Sequence, residues 1–410
     1  MARRVVITGM AGISPLGNDW DTVRAKLASY TNAIQRMPGW DRIEGLHTHL
    51  GAQAAAFELP AHYNRKTTRS MGRVAVMAVL SAERALADAG LLGDPILASG
   101  KVGISYGSSA GTPSAIGDFG RMLNEHNTEG INANTYIKMM SHTAPVNIAV
   151  FFGITGRVIT TSSACTSGSQ GIGYAYEAIQ SGKQVAMIAG GAEELDAIHA
   201  AVFDTLFATS VTNDTPGLTP RPFDARRDGL VLGEGAGSMV LEDLEHARAR
   251  GATIYAEIVG FGTNCDGTHV THPSAPTMAQ AMRLALEDAD LPASAVGYVN
   301  AHGTSTDRGD VAEATATGEI YGDMVPVSSL KSYMGHTLGA CGVLEAWMTV
   351  HMMREGWFAP TLNLDEVAEG CTGVDHIMGA SRALDCEYVV SNNFAFGGIN
   401  TSLVFKRWEG

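Results

Sequence analysis

Cysteine is scarce. The chain has five in 410 residues, Cys165, Cys265, Cys341, Cys371 and Cys386, far apart and without CxxC spacing. An odd, sparse set argues against a disulfide framework or a structural zinc site and favours a reducing compartment. Positive charge is also short. Against 42 Asp and Glu stand 28 Lys and Arg, a formal net charge of −14. A chain this acidic is a poor general binder of nucleic acid or of an anionic membrane, so only a local basic patch can serve such a role. No apolar run approaches the ~20 residues of a membrane span. The opening "MARRVVITGMAGISPLG" carries an apolar stretch, but Gly9 and Gly12 break it and no small-residue cleavage site follows. It reads as a first strand and not as a signal peptide. Short-period repeats, charge blocks and low-complexity linkers are absent as well. These absences together point to a soluble, cytoplasmic globular protein.

What is present is a large apolar fraction, 45%, and 48 glycines. That is enough for one composite fold or for two domains of roughly 200 residues each. "RRVVITGM" reads as a buried strand and "GRVAVMAVLSAERALADAGL" as a helix ended by Gly90. "KVGISYGSS" and "QVAMIAGGAEE" are strands running into small-residue loops, and "GAGSMVLEDLEHARARG" is a strand and short helix. After Gly251 a comparable series restarts with "ATIYAEIVGFGTN", "TMAQAMRLALEDADL" and "VGYVNAHGTST". Strands alternating with helices, twice over, predict an α/β fold with mostly buried sheets. A boundary near Glu245 to Ile254 divides the chain into halves 1–250 and 251–410.

Cys165 lies in "ITTSSACTSGSQGIG", after strand-like "GRVIT" and before helical "GYAYEAIQ". Most single cysteines are buried small hydrophobes. Here, however, the layout is that of a strand-to-helix elbow, which holds a side chain at a helix N-terminus. The positive helix end favours a thiolate near neutral pH, and its free N–H groups can receive an oxyanion. Two histidines stand in matching positions after strands. "VNAHGTSTDRGD" places His302 before three hydroxyls, and "SSLKSYMGHTLGACG" places Lys331 and His336 in a Gly-rich loop. Sites in open α/β folds form at strand carboxyl ends, so these residues and Cys165 are candidates for one shared site. "RPFDARRDGLVLGEGAG" reads first as an internally paired bracing loop. "SNNFAFGGIN" sets Phe394 and Phe396 astride Ala395, as core packing or as a gate over an apolar pocket. The run "GSQGIG" is a weak dinucleotide fingerprint, because it follows a cysteine and lacks a downstream acidic partner.

The motifs "SSACTSGSQ", "RPFDARRDGLVLGEGAG", "NAHGTST", "LKSYMGHTLGACG" and "NNFAFGGIN", in this order, resemble the elongating β-ketoacyl-[acyl-carrier-protein] synthases, the type I/II condensing enzymes. The resemblance spans the chain from "RRVVITGM" to "TSLVFKR". It implies the thiolase fold, two similar βα halves in a five-layer αβαβα sandwich, usually as a homodimer. It implies catalysis by Cys165, His302, His336 and Lys331, with the backbone N–H groups of Cys165 and Phe396 as an oxyanion hole. The acyl group would sit on Cys165, and malonyl-carrier would undergo decarboxylative Claisen condensation with it. Thr304 and Thr306 would hold the phosphopantetheine arm, with His269, Thr271, Phe203, Phe394 and Phe396 lining the same tunnel. Glu345 would be a structural acid behind the site, and a monovalent cation near Asn300, Glu345 and Asn392 is a further expectation. No cofactor is implied, since phosphopantetheine arrives on the carrier protein. The partners implied are acyl carrier protein and its acyl and malonyl thioesters, docking on Arg65, Lys66 and Arg69 of "NRKTTRSMGR", a stretch that also holds Arg73.

The chain departs from the family pattern at Asp307 and Arg308, where Pro often follows "GTST", at Ala395 and Ile399, and at Thr212. These changes touch the gate and the carrier surface, and they leave open chain length and a specialised role such as polyene or polyketide elongation. Three relatives of the reading are weaker. A thiolase uses a second cysteine as base, an initiating ketosynthase pairs His with Asn, and a chain-length-factor partner usually loses its nucleophile.

Overall fold

The computed structural model describes residues 2–410. Strand β1 (Val5–Ile13) is buried along its whole length, as an apolar run of this size requires. Helix α1 (Arg73–Asp88) turns its Val, Ala, Met and Leu side chains onto the sheet and ends at Gly90, whose φ of 69° suits a helix C-terminus. The first half continues with β2 (Val102–Gly107), β3 (Val158–Thr160), α2 (Ser167–Gln180), β4 (Ala186–Glu193) and β5 (Gly235–Asp243). The second half holds β6 (Ala256–Cys265), α3 (Ala275–Asp288), β7 (Val296–Asn300), α4 (Asp307–Tyr321) and β8 (Pro326–Ser328). It closes with α5 (Cys341–Glu355), β9 (Asp375–His376), β10 (Tyr388–Phe394) and β11 (Ile399–Arg407).

Eleven strands join in the order β9-β8-β7-β10-β11-β6-β1-β5-β4-β2-β3. The two ends of this series repeat one pattern. In the first half β2 lies parallel to β3 and β4, while β4–β5 and β5–β1 are antiparallel. In the second, β7 lies parallel to β8 and β10, while β10–β11 and β11–β6 are antiparallel. The halves meet where β1 pairs with β6 over three residues, Val5–Ile7 against Ala256–Ile258.

Helices sort into layers around this sheet. Helix α1 packs on β1, β4 and β5, and α3 packs on β6 and β11 with α4 beside it. Between the halves lie α2 and α5, which touch each other and strands of both halves. The result is α–β–α–β–α, five layers, with the two central helices almost wholly buried. Such close packing needs small residues. A Cβ on Gly171 would lie 2.6 Å from the Gly190 carbonyl oxygen, and one on Gly173 would lie 2.3 Å from the Phe261 ring. The N-termini of α2 and α5 meet through their leading 3-10 turns, Ala164–Thr166 and Leu338–Ala340. There the loops after β3, β7, β8 and β10 also arrive.

Candidate active site

Ala164 takes φ 51°, a left-handed conformation unusual for a residue with a Cβ. This bend turns the chain from β3 into α2 and puts Cys165 at the elbow. The helix begins at Ser167, earlier than "GYAYEAIQ" suggests, so the thiol stands directly at the helix entrance. Cys165 is 4% exposed. Its sulfur lies 3.0 Å from His336 Nε2 and meets the backbone N–H groups of Phe396 and Cys165 itself.

The histidines are oriented from behind. Leu338 N–H donates to His336 Nδ1 at 3.2 Å, which leaves the ring proton on Nε2, facing the sulfur. Lys331 Nζ lies 3.2 Å from His302 Nδ1, with Asn393 Nδ2 at 3.4 Å, so His302 likewise turns Nε2–H forward. The two rings stand perpendicular with centroids 5.1 Å apart. Lys331 Nζ also donates to Glu345 Oε1 at 2.5 Å, and Asn393 Nδ2 to Glu345 Oε2 at 2.8 Å. The loop carrying His302 is tied down by Glu313, which accepts from His302 N at 2.7 Å and Gly303 N at 2.6 Å.

Burial decides the protonation states. It lowers both imidazoles well below their ordinary value, helped by the Lys331 charge, so they are neutral N–H donors at pH 7. Burial also works against the Lys331 ammonium, but Glu345 outweighs it and holds Lys331 above the ordinary lysine range. Burial pushes the Cys165 thiol up to about 11, against the pull of Lys331 and the two backbone N–H groups. Desolvation therefore opposes the thiolate expected at neutral pH from the helix N-terminus, and the two backbone N–H groups and Lys331 favour it.

Cys165, His302 and His336 open onto a cavity of about 550 Å³. Phe203, Phe394 and Phe396 line it, with Phe203 and Phe396 in contact at 4.9 Å between centroids and tilted by 37°. Thr304 and Thr306 line it too, their hydroxyls 2.9 Å apart, as does Thr271. His269 does not. It is exposed and stacks at 4.0 Å on His272, and His272 occupies the cavity wall in its place. Arg308 holds that imidazole through a 2.6 Å contact to Nε2. Arg65 and Lys66 open a short helix, Arg65–Thr68, followed by Arg69; all three are exposed and make no ion pair among the described residues. Arg73 does not belong to that patch, because Glu234 Oε1 binds it at 2.6 Å. The "RPFDARRDGLVLGEGAG" loop is paired within itself, Arg221 on Asp224 at 3.0 Å, and also outward, Arg227 on Asp307 of α4 at 2.8 Å and Arg221 on Asp365 at 3.0 Å. Asn300 Oδ1 and both side-chain polar atoms of Asn392 are buried without a partner, and Asn300 reaches Glu345. These orphan oxygens fit a small monovalent cation.

Sequence reasoning missed Asn393, Glu313, His272 and the Leu338 N–H. Asn393 stood inside a quoted motif, one residue from Phe394. Glu313 carried no local signal, since it reaches the site from the second turn of α4.

A thiol at an elbow, backed by two main-chain N–H groups and faced by two imidazole N–H groups, is the equipment of a cysteine-dependent acyltransferase. Comparison with known proteins gives the same class. The family description "Beta-ketoacyl synthase, N-terminal domain" matches residues 2–247, and "Beta-ketoacyl synthase, C-terminal domain" matches residues 255–365. The chain belongs to the β-ketoacyl synthase family. It is 39% identical over 416 residues to 3-oxoacyl-[acyl-carrier-protein] synthase 1 of Haemophilus influenzae, covering 100% of each chain. A crystal structure of a β-ketoacyl synthase from Burkholderia phymatum STM815 superposes with TM-score 0.98 at 60% identity, covering 99% of this chain and 100% of that one. The AntDE:AntF complex, a type II PKS acyl-carrier protein with its ketosynthase bound to the hexaketide, gives TM-score 0.86 at 26% identity, covering 100% of both chains.

Proposed function

We propose that this protein is a 3-oxoacyl-[acyl-carrier-protein] synthase that extends an acyl chain held on Cys165 by condensation with malonyl-carrier. The observation that carries this reading is the convergence of the Cys165 sulfur with two imidazoles held as Nε2–H donors.

In the first half-reaction the sulfur attacks the acyl thioester. A C–S bond forms to Cys165, the C–S bond to the carrier breaks, and the proton lost by Cys165 ends on the departing pantetheine thiol. No external base is needed for this balance. The N–H groups of Cys165 and Phe396 receive the tetrahedral oxyanion. In the second, malonyl-carrier enters past Thr304 and Thr306 and loses CO2. Negative charge collects on its thioester oxygen, where Nε2–H of His302 and of His336 donate. One such donor is worth about 3–4 kcal/mol in the transition state. The carbanion attacks the acyl carbonyl, a C–C bond forms, and Cys165 leaves as thiolate and takes a proton from water. Lys331, fixed by Glu345, keeps His302 in the donating tautomer. A cation held by Asn300, Asn392 and Glu345 would supply charge balance behind the ring.

The enzyme needs no cofactor of its own in this reading, and five free cysteines suit a reducing cytoplasm. No helix among the described residues is long and apolar enough to cross a membrane. Arg65, Lys66 and Arg69 offer an acidic carrier its docking charge. A homodimer is supported by the sheet edge: β3 pairs on one side only, and Val158 on it and Val150 beside it are 42% and 77% exposed. The test is turnover with purified carrier thioesters. A 3-oxoacyl-carrier two carbons longer than the primer is expected, and none with Cys165→Ala; a variant that still condenses refutes the reading.

A further inference from the structure

The loop after β7 climbs the cavity wall in alternate residues. His302 lies at the floor, 6% exposed; Thr304 and Thr306 are half-buried; Arg308 is exposed at the rim, and all four line the cavity. Two arginines belong to this wall. Arg227 is bound to Asp307 at 2.8 Å and faces Asp310 at 3.7 Å. Arg308 has no carboxylate partner among the described residues. Its guanidinium makes one hydrogen bond, donating to His272 Nε2 at 2.6 Å. That direction fixes the ring, which accepts at Nε2; the neighbouring His269 and Arg308 lower its basicity and keep it neutral at pH 7. The contact thus orients the guanidinium without cancelling its charge, and most of the fork stays free to donate. The acids nearby are engaged. Arg227 holds Asp307, Asn400 Nδ2 donates to Asp266 at 2.7 Å, and Ser210 Oγ donates to Asp228 at 2.9 Å. Arg308 also lies in the first turn of α4, whose N-terminal Thr306 caps none of its backbone N–H groups.

A phosphopantetheine arm has its groups in the same order. The thioester is at the reacting end, amides and a hydroxyl follow, and a phosphodiester joins the arm to the carrier. With the thioester oxygen at His302 and His336 and the shaft against Thr304 and Thr306, the phosphodiester arrives at the rim. It carries one negative charge and two free acceptor oxygens, which match a guanidinium fork. We propose that Arg308, oriented by His272, anchors the phosphodiester of the arriving arm. The inference rests on the carrier-dependent reading above. It is separate from docking on Arg65, Lys66 and Arg69, which would meet the carrier's own acidic side chains. The carboxylate of a malonyl group is not the partner of Arg308, because it sits at the floor beside Cys165.

Protection of Cys165 from alkylation by iodoacetamide reads this contact without any turnover. The probes are S-propyl-pantetheine, which has no free thiol, and the same molecule capped with a methyl phosphodiester. With full-length wild-type protein the phosphodiester probe should protect at about fivefold lower concentration than the uncharged one. The ratio within one protein cancels any change in the reactivity of Cys165. Arg308→Gln should bring the ratio to one, and Arg308→Lys should keep part of it. Added salt should shrink it in the wild type. His272→Ala should narrow it; an unchanged ratio there overturns His272 as the positioning residue. Equal protection of wild-type protein by the two probes, or a ratio that survives in Arg308→Gln, overturns the anchor. Protection by inorganic phosphate alone would make the rim a general anion site and overturns the link to the arm. The two readings fail separately: an intact ratio in a protein that condenses nothing supports the anchor and refutes the synthase, whereas condensation without a ratio refutes the anchor alone.

Discussion

Burial sets the chemistry of the individual side chains. A thiol raised from 9.0 to about 11 is ionised in about one molecule in ten thousand at pH 7. Raising the pH favours the thiolate, so alkylation of substrate-free enzyme by iodoacetamide should accelerate about tenfold per pH unit and keep rising to about pH 11. A plateau by pH 8 would show that the helix end wins over desolvation. The linked stability has a definite sign. The folded state keeps a proton that the unfolded chain gives up above pH 9.0, so this group's contribution declines between 9.0 and about 11. Lys331 and Glu345 form a wholly buried pair. Lys331→Ala leaves the carboxylate unpaired and should cost about 3–5 kcal/mol in a denaturant melt. Adding Glu345→Gln should return most of that stability while condensation stays low. Equal losses in the single and double variants would contradict the pairing argument.

Single positions also govern how the elements fit. Helix α2 lies so close to β4 that a methyl at Gly171 meets the rigid Gly190 carbonyl. Gly171→Ala should therefore destabilise by about 1–3 kcal/mol, read as a lower melting temperature, and an unchanged melting temperature would mean that the helix can shift. The alternation of strand and helix was readable because buried strands are short apolar runs and α1 repeats its apolar face at helical spacing. The start of α2 was not, since Ser167, Gly168 and Ser169 favour no helix by themselves and are held by packing from both halves of the sheet. Nor were the helices Pro113–Glu125, Ala133–Met139 and Thr143–Phe152, which fill the long connection between β2 and β3. In the site, the residues on distinctive loops were legible from their motifs. What decides between His269 and His272 is which ring reaches the cavity wall. No local pattern in "GTHVTHP" carries that information. Glu313 escaped notice because its tie to His302 exists only once α4 folds back under the loop.

The whole molecule presents two surfaces that its own chain leaves open. Edge strand β3, with Val158 and the neighbouring Val150, fits a second copy that would continue the sheet. Sedimentation should show a dimer, and Val158→Lys should shift it toward monomer; a monomeric wild type would remove the homodimer reading. Arg65 and Arg69 project from a separate exposed turn in a chain whose net charge is −14. Reversing both charges should raise KM for carrier-bound substrate several-fold, leave turnover of a small thioester mimic unaltered and weaken the salt dependence. An unchanged KM would place the carrier elsewhere.

The most direct test of the central claim is the mass of the intact protein and of its Cys165 peptide after brief exposure to an acyl-carrier without malonyl-carrier. The account predicts one acyl group per chain, located on Cys165, discharged when malonyl-carrier is added, and missing in Cys165→Ala. A chain that stays unmodified, or that carries the acyl group on another residue, would contradict it.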